Sequence, residues 1–139
     1  MKKIWQVISK KDFIFGILIL TLVILFSFRP SNKIRVTFGA DSVDIKTTKY
    51  AMNIPYEIID NIELVDKPEM GEKLDGYTDD IIQTGVWMND AFGEYTSCME
   101  VATDNCIVIH LDDGRLFAIS RRNNEETTRV YEEFLTYLK

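Results

Sequence analysis

The run from Phe13 to Phe28, FIFGILILTLVILFSF, limits this chain more than any other stretch. It carries no charge, while Lys10, Lys11 and Asp12 precede it and Arg29-Pro30 follows. Only Gly16, Thr21 and Ser27 interrupt the apolar residues, and they mark no polar stripe. A core helix needs a polar face toward water, so a run apolar all round points to a membrane span. At about 1.5 Å per residue the run covers roughly 24 Å, one or two turns short of a hydrocarbon layer of about 30 Å. Lys11 and Arg29 narrow the gap by snorkelling, and Trp5 suits an interfacial anchor. A cleaved leader fits less well, because Phe26-Ser27-Phe28-Arg29-Pro30 offers no small-x-small site and no cysteine for a lipid. The sequence therefore predicts a basic segment over 1–12, an uncleaved single-pass transmembrane helix over 13–28, a short linker over 29–33 and one domain over 34–139. The expected location is a cell membrane.

Charge divides at the same place. Residues 1–35 hold seven Lys/Arg against one Asp, a net +6, and residues 36–139 hold nine Lys/Arg against twenty-one Asp/Glu, a net −12. So acidic a domain argues against nucleic acid as a partner, and anionic lipid would repel it. Solubility accounts for the surplus; a basic protein partner or a divalent cation is the sharper reading. Four basic residues before the run (Lys2, Lys3, Lys10, Lys11) and three after it (Arg29, Lys33, Arg35) lean toward an inside amino terminus and an outside domain. The two cysteines pull the other way. A tight turn near Asp104-Asn105 places Cys98 opposite Leu111, roughly 16 Å from Cys106 and too far for a disulfide. Unpaired thiols suit a reducing compartment, so both topologies stay open.

Beyond the run, short alternating segments predict strands. Ile34, Val36 and Phe38 form the first, and Val43 and Ile45 pair with it across Gly39-Ala40-Asp41. Tyr50 to Ile54 is a third strand, ended by Pro55; Tyr56 to Asn61 reads as a helical turn, and Ile62 to Val65 as a fourth strand. Asp66 to Asp80 is polar, contains Gly71 and Gly76, and reads as one long loop. Gly85 to Met88 is a strand. Tyr95 to Val101 and Cys106 to Leu111 read as a hairpin, and Asp113-Gly114 as a two-residue turn into Arg115 to Ser120. At the carboxyl end Asn123 and Glu126 match a capping box. Val130, Tyr131, Phe134, Leu135 and Leu138 then recur with helical period, so a helix over about 124–138 should cover the sheet. The predicted class is mainly β (α+β): a curved antiparallel sheet or partly open barrel capped by a C-terminal amphipathic helix.

That order resembles the pleckstrin-homology fold, and more closely the bacterial PH-like domains of small membrane-anchored proteins. The resemblance covers about 33–139. It rests on IPYEIIDNIEL (Ile54 to Leu64), the glycine-containing loop after it, TGVW (Thr84 to Trp87), DDGRLFAIS (Asp112 to Ser120) and the terminal helix. It implies a binding or scaffolding module. Relatives of that fold often hold phosphoinositides on basic residues of the first hairpin; here Asp41 and Asp44 stand there, so phosphoinositide binding is not expected.

No catalytic motif emerges. His110 is the only histidine, which excludes a multi-histidine metal site. The turn at Asp113-Gly114 would set it opposite Phe117, among packed apolar residues. A Cys98–His110 nucleophile pair fails because the predicted register faces the two apart. Glu69, Glu72, Asp75, Asp79 and Asp80 crowd the loop without the spacing of a calcium-binding loop. Tyr77, Asp79, Asp80 and Trp87 are the candidate contact surface. The expected function is a membrane-anchored protein-interaction or scaffolding module, not an enzyme and without a cofactor. The alternative is a small-ligand or divalent-cation sensor using the acidic 66–84 loop.

Overall fold

The computed structural model describes residues 10–27 and 34–139, which belong to two compact units, 1–31 and 32–139. In the first unit, helix α1 spans Lys10–Ser27. Within the described residues it takes in Lys10, Lys11 and Asp12 ahead of the uncharged run that begins at Phe13. No helix among the described residues is long and apolar enough to cross a membrane. Phe28, the 29–33 linker and most of the 1–12 segment lie outside the described residues.

The second unit is mainly β. Strands β1 (Arg35–Phe38), β2 (Ser42–Lys46) and β3 (Ala51–Pro55) form an antiparallel meander in that order. Val36 pairs with Ile45, and Val43 with Ile54. The first turn closes where the Gly39 N–H donates to the Ser42 carbonyl at 2.8 Å. A single 3-10 turn, Tyr56–Ile58, leads into the second sheet. That sheet holds β4 (Ile59–Asp66), β5 (Glu72–Asp75), β6 (Ile82–Asn89), β7 (Gly93–Glu100), β8 (Asn105–Leu111) and β9 (Leu116–Ile119), in the order β4-β8-β9-β7-β6-β5.

Three expectations change here. First, β7 and β8 are not a hairpin. Strand β9 lies between them, parallel to β7 and antiparallel to β8, so the second sheet is not wholly antiparallel. Residues 101–104 pass over the end of β9, and buried polar groups satisfy the crossing. The Glu100 N–H donates to the Ser120 hydroxyl at 2.8 Å, and the Thr103 hydroxyl lies 3.0 Å from that of Ser120. Second, the β8–β9 turn is one residue longer than predicted. The Leu111 N–H donates to the Arg115 carbonyl, leaving a three-residue loop with Gly114 at φ +90°. The register slips by one, and His110 faces Leu116 instead of Phe117. Third, the acidic stretch is not one loop, because β5 forms within it and pairs with β6.

Two apolar cores lie on the two faces of the second sheet. The larger joins Ile34, Val43, Ile45 and Ile54 to Ile62, Ile82, Cys98, Ile107, Ile109, Phe117, Ile119 and Phe134. It is therefore shared by the meander, the second sheet and the terminal helix. The smaller holds Trp87, Tyr95, Met99, Cys106, Val108 and Ala118, with Met70 and Phe92 packed against it. Strands β4 and β5 are sequence neighbours at opposite edges of the sheet, so the chain between them must travel across it. Residues 67–71 do so and are fastened on arrival. The Tyr95 hydroxyl donates to the Met70 carbonyl at 2.7 Å, and Asn89 Nδ2 to the Glu69 carbonyl at 2.9 Å. Lys67 Nζ donates to the Glu100 and Val101 carbonyls at 3.2 and 3.3 Å. Beyond the strap, Gly76 (φ +130°) and Gly85 (φ +108°) meet backbone to backbone where β5 bulges away from β6.

Helix α2 spans Asn124–Tyr137. The Asn123 side chain caps it, accepting from the Glu126 N–H at 2.9 Å. The predicted capping box is only half made, because the Glu126 carboxylate turns to Arg122 Nε at 2.7 Å instead of back to Asn123. Phe134 is fully buried and meets Phe38 edge to face at 4.8 Å. Burying an aromatic ring of this size stabilises by about 3 kcal/mol, enough to dock a helix whose other face is charged.

Candidate functional site

The four residues predicted as a contact surface do not share one. Side chains alternate along β6, so Trp87 faces the smaller core and is only 7% exposed. Its register partners are Tyr95 on β7 and Lys73 on β5. The indole N–H has no hydrogen-bond partner among the described residues. Tyr77 packs against the larger core, on the other face of the sheet. Asp79 organises its own turn: Oδ1 accepts from the Ile81 and Ile82 N–H groups at 2.7 and 2.8 Å, and Oδ2 accepts from the Tyr77 hydroxyl at 3.1 Å. That hydrogen bond, and the charge behind it, raise the Tyr77 hydroxyl above its ordinary pKa. Lys49 Nζ stands 4.7 Å from the Tyr77 ring. Asp80 is exposed.

The remaining candidates resolve as follows. Among the described residues, no three His, Cys, Asp or Glu side chains gather as a metal ion would require. His110 is not packed in a core: its Nε2 lies 2.8 Å from Glu63 Oε2, and both side chains are partly open to water. Cys98 and Cys106 are free and buried, one in each core. Burial pushes the Cys98 thiol up to about 12 and that of Cys106 up to about 11. Such thiols stay protonated at neutral pH and are poor nucleophiles. Alternation along β7 and β8 also puts Cys98 and His110 on opposite faces of the sheet.

A charged cluster joins the start of the domain to α2. The Arg121 guanidinium donates to the Ile34 carbonyl, and its NH2 group stands 3.7 Å from the Glu126 carboxylate. Glu100 is 6% exposed, and burial raises its carboxyl against the opposing pull of Arg121. This cluster holds β7, the 121–122 segment and α2 together. Its charges are turned on one another.

A further open feature of the domain is built from aromatic side chains far apart in the sequence. Phe38, Tyr137 and Tyr56 stack in a column, with ring centroids 5.0 and 5.4 Å apart. The column flanks a groove of about 440 Å³ between the Tyr56–Ile62 corner and the carboxyl end of α2. Ile59, Ile62, Leu135 and Leu138 supply its apolar lining, and Glu57, Asp60 and Lys139 its charges. The Tyr56 hydroxyl donates to the Gly39 carbonyl at 2.9 Å. Its pKa is raised by partial burial, and further by Tyr137, Glu133 and Asp41, which places both carboxylates close by. Neither tyrosine stands out in the sequence, since Tyr56 lies among Ile54, Pro55, Ile58 and Ile59 and Tyr137 among Phe134, Leu135 and Leu138. Their meeting depends on residues 81 positions apart, which no local pattern reports.

This chain matches no known family model, no curated protein and no solved structure.

Proposed function

We propose that this chain is a membrane-held protein-interaction or scaffolding module, with α1 as the holding element and the 34–139 domain as the displayed part. One observation carries the location. Eleven large apolar side chains of α1, from Phe13 to Leu25, are 47–66% exposed, with no polar face opposite them. In water each would add to an uncompensated apolar surface far larger than folded domains expose. A helix lying flat on a membrane would need a polar side, which α1 lacks. The uncharged part of the described helix covers only about 22 Å. These side chains enter the hydrocarbon, with Lys10 and Lys11 reaching toward the headgroups.

The PH-like reading of the domain draws support from the meander of short strands and the closing helix. The parallel β7–β9 pair is a departure from an all-antiparallel arrangement. For the interaction role, the support is the open groove beside the Tyr56 and Tyr137 rings.

Alkaline carbonate extraction of the full chain tests the location. The native chain should stay with the membrane pellet, and Leu18→Arg with Leu22→Arg should move it to the supernatant. Native chain in the supernatant would end the membrane proposal. Photo-crosslinking from Leu135 in intact membranes tests the interaction role, which requires a discrete adduct with another protein.

A further inference from the structure

We infer that the groove between the Tyr56–Ile62 corner and the carboxyl end of α2 is a docking site for a basic peptide, seating lysine or arginine side chains. The inference rests on the interaction-module reading and names the partner's chemistry. Three independent features converge on it. The first is shape and lining. The groove offers Ile59, Leu135 and Leu138 beside the Tyr56 and Tyr137 rings, and Leu135 and Tyr137 are 41% and 40% exposed. The stems of lysine and arginine pack on such a surface while their charged heads stay outside it.

The second feature is charge. Glu57 and Asp60 line the groove, and Asp41 and Glu133 stand close enough to Tyr56 to raise its hydroxyl. All four carboxylates are exposed, and none makes an ion pair with a described residue. Lys139 is the one basic side chain of the groove lining. Elsewhere in the fold Asp79 is engaged in its turn, Glu63 with His110, and Glu126 with Arg122. The third feature is the backbone. The last turn of α2 opens beside the groove and has no basic residue to offset the negative end of its dipole. Four carboxylates without ion pairs outweigh the single charge of Lys139 and give a negative field over an apolar floor, complementary to a cationic and partly apolar chain.

The edge strands suit such a partner less well. Both β4 and β5 carry a bulge, at Ile59/Asn61 and Lys73/Asp75, and bulges twist an edge away from strand addition. The groove therefore takes side chains, and the partner need not add a strand.

The test uses the full chain in neutral detergent and a short fluorescein-labelled peptide of alternating arginine and alanine. The control peptide carries glutamate for arginine. Anisotropy should report binding of the arginine peptide alone, weakening as salt rises. Glu57→Gln with Asp60→Asn should weaken it about tenfold, and Tyr137→Ala should weaken it as well. Glu72→Gln with Asp75→Asn, an equal charge change on β5, should alter it less than about twofold. Unchanged far-ultraviolet dichroism would show that each variant is folded. The inference is overturned if the arginine peptide fails to bind, or if the groove and β5 variants weaken it equally. A crosslinked protein partner that survives the groove variants would also overturn it, while leaving the interaction module standing.

Discussion

Replacing Gly85 with alanine is the most demanding test of this fold, because ordinary reasoning gives the opposite sign. Glycine to alanine in a strand normally stabilises by about 0.4–1 kcal/mol, since the unfolded chain loses freedom. Here a Cβ at Gly85 would stand 2.5 Å from the Gly76 Cα and closer still to the Asp75 carbonyl. All of these are backbone atoms, so no side chain can swing aside. A φ of +108° adds strain of about 1–3 kcal/mol for any residue with a Cβ. Relief requires β5 to move off β6, giving up the Lys73–Trp87 and Asp75–Val86 pairs. The net loss should be about 2–4 kcal/mol, a large share of the 5–15 kcal/mol typical of a domain. Urea unfolding of the Trp5→Phe chain, followed by Trp87 emission, should show a midpoint lower by about 1–2 M. Gly76→Ala should match it, and the double variant should fall well short of the sum, since both remove one contact. A Gly85→Ala midpoint equal to or above the parent's would refute the reasoning.

Other expectations are independent of that contact. Trp87 emission should be blue-shifted and resistant to iodide in the Trp5→Phe chain; a red, readily quenched signal would place the indole outside the smaller core. Burial lifts Cys98 to about 12 and Cys106 to about 11 from 9.0, and Tyr95 to about 12 from 10.0. The fold keeps all three protonated where the unfolded chain releases protons. Their contribution is thus whole below about pH 9 and lost as pH rises through about 11–12. Cys98→Ala with Cys106→Ala should leave only the later Tyr95 share of that loss. Neither thiol of the native chain should react with maleimide at pH 7 until urea unfolds it. Asn123→Ala should cost about 1 kcal/mol in a urea titration, and Asn123→Asp should restore most of it, because the carboxylate can accept the same Glu126 N–H.

The unbroken run from Phe13, the alternation over Ile34–Phe38 and Val43–Ile45, and the helical stripe from Val130 to Leu138 are local patterns. Helix α1, the β1–β2 hairpin and α2 with its Asn123 cap were legible from them. Periodicity assigns an element and its two faces. It does not say which strands pair, because pairing depends on residues far apart in the chain. Cys98 and Ile119 are register partners although the expected neighbour of β7 was β8, and nothing near either residue reports that β9 enters between them. The same limit misplaced the candidate site. Trp87 is an apolar residue on an alternating strand, and only the strap at 67–71 decided that its face would be covered. Tyr56 and Tyr137 look unremarkable apart, and only the docking of α2 beside the Tyr56–Ile58 turn makes them one wall of an acidic groove. The sequence by itself determined the apolar amino-terminal helix, the acidic balance of the domain and the kinds of element it contains. The tertiary structure alone decided strand order, the side of the sheet each aromatic ring occupies and which carboxylates are left without partners, since each of those depends on contacts between distant segments.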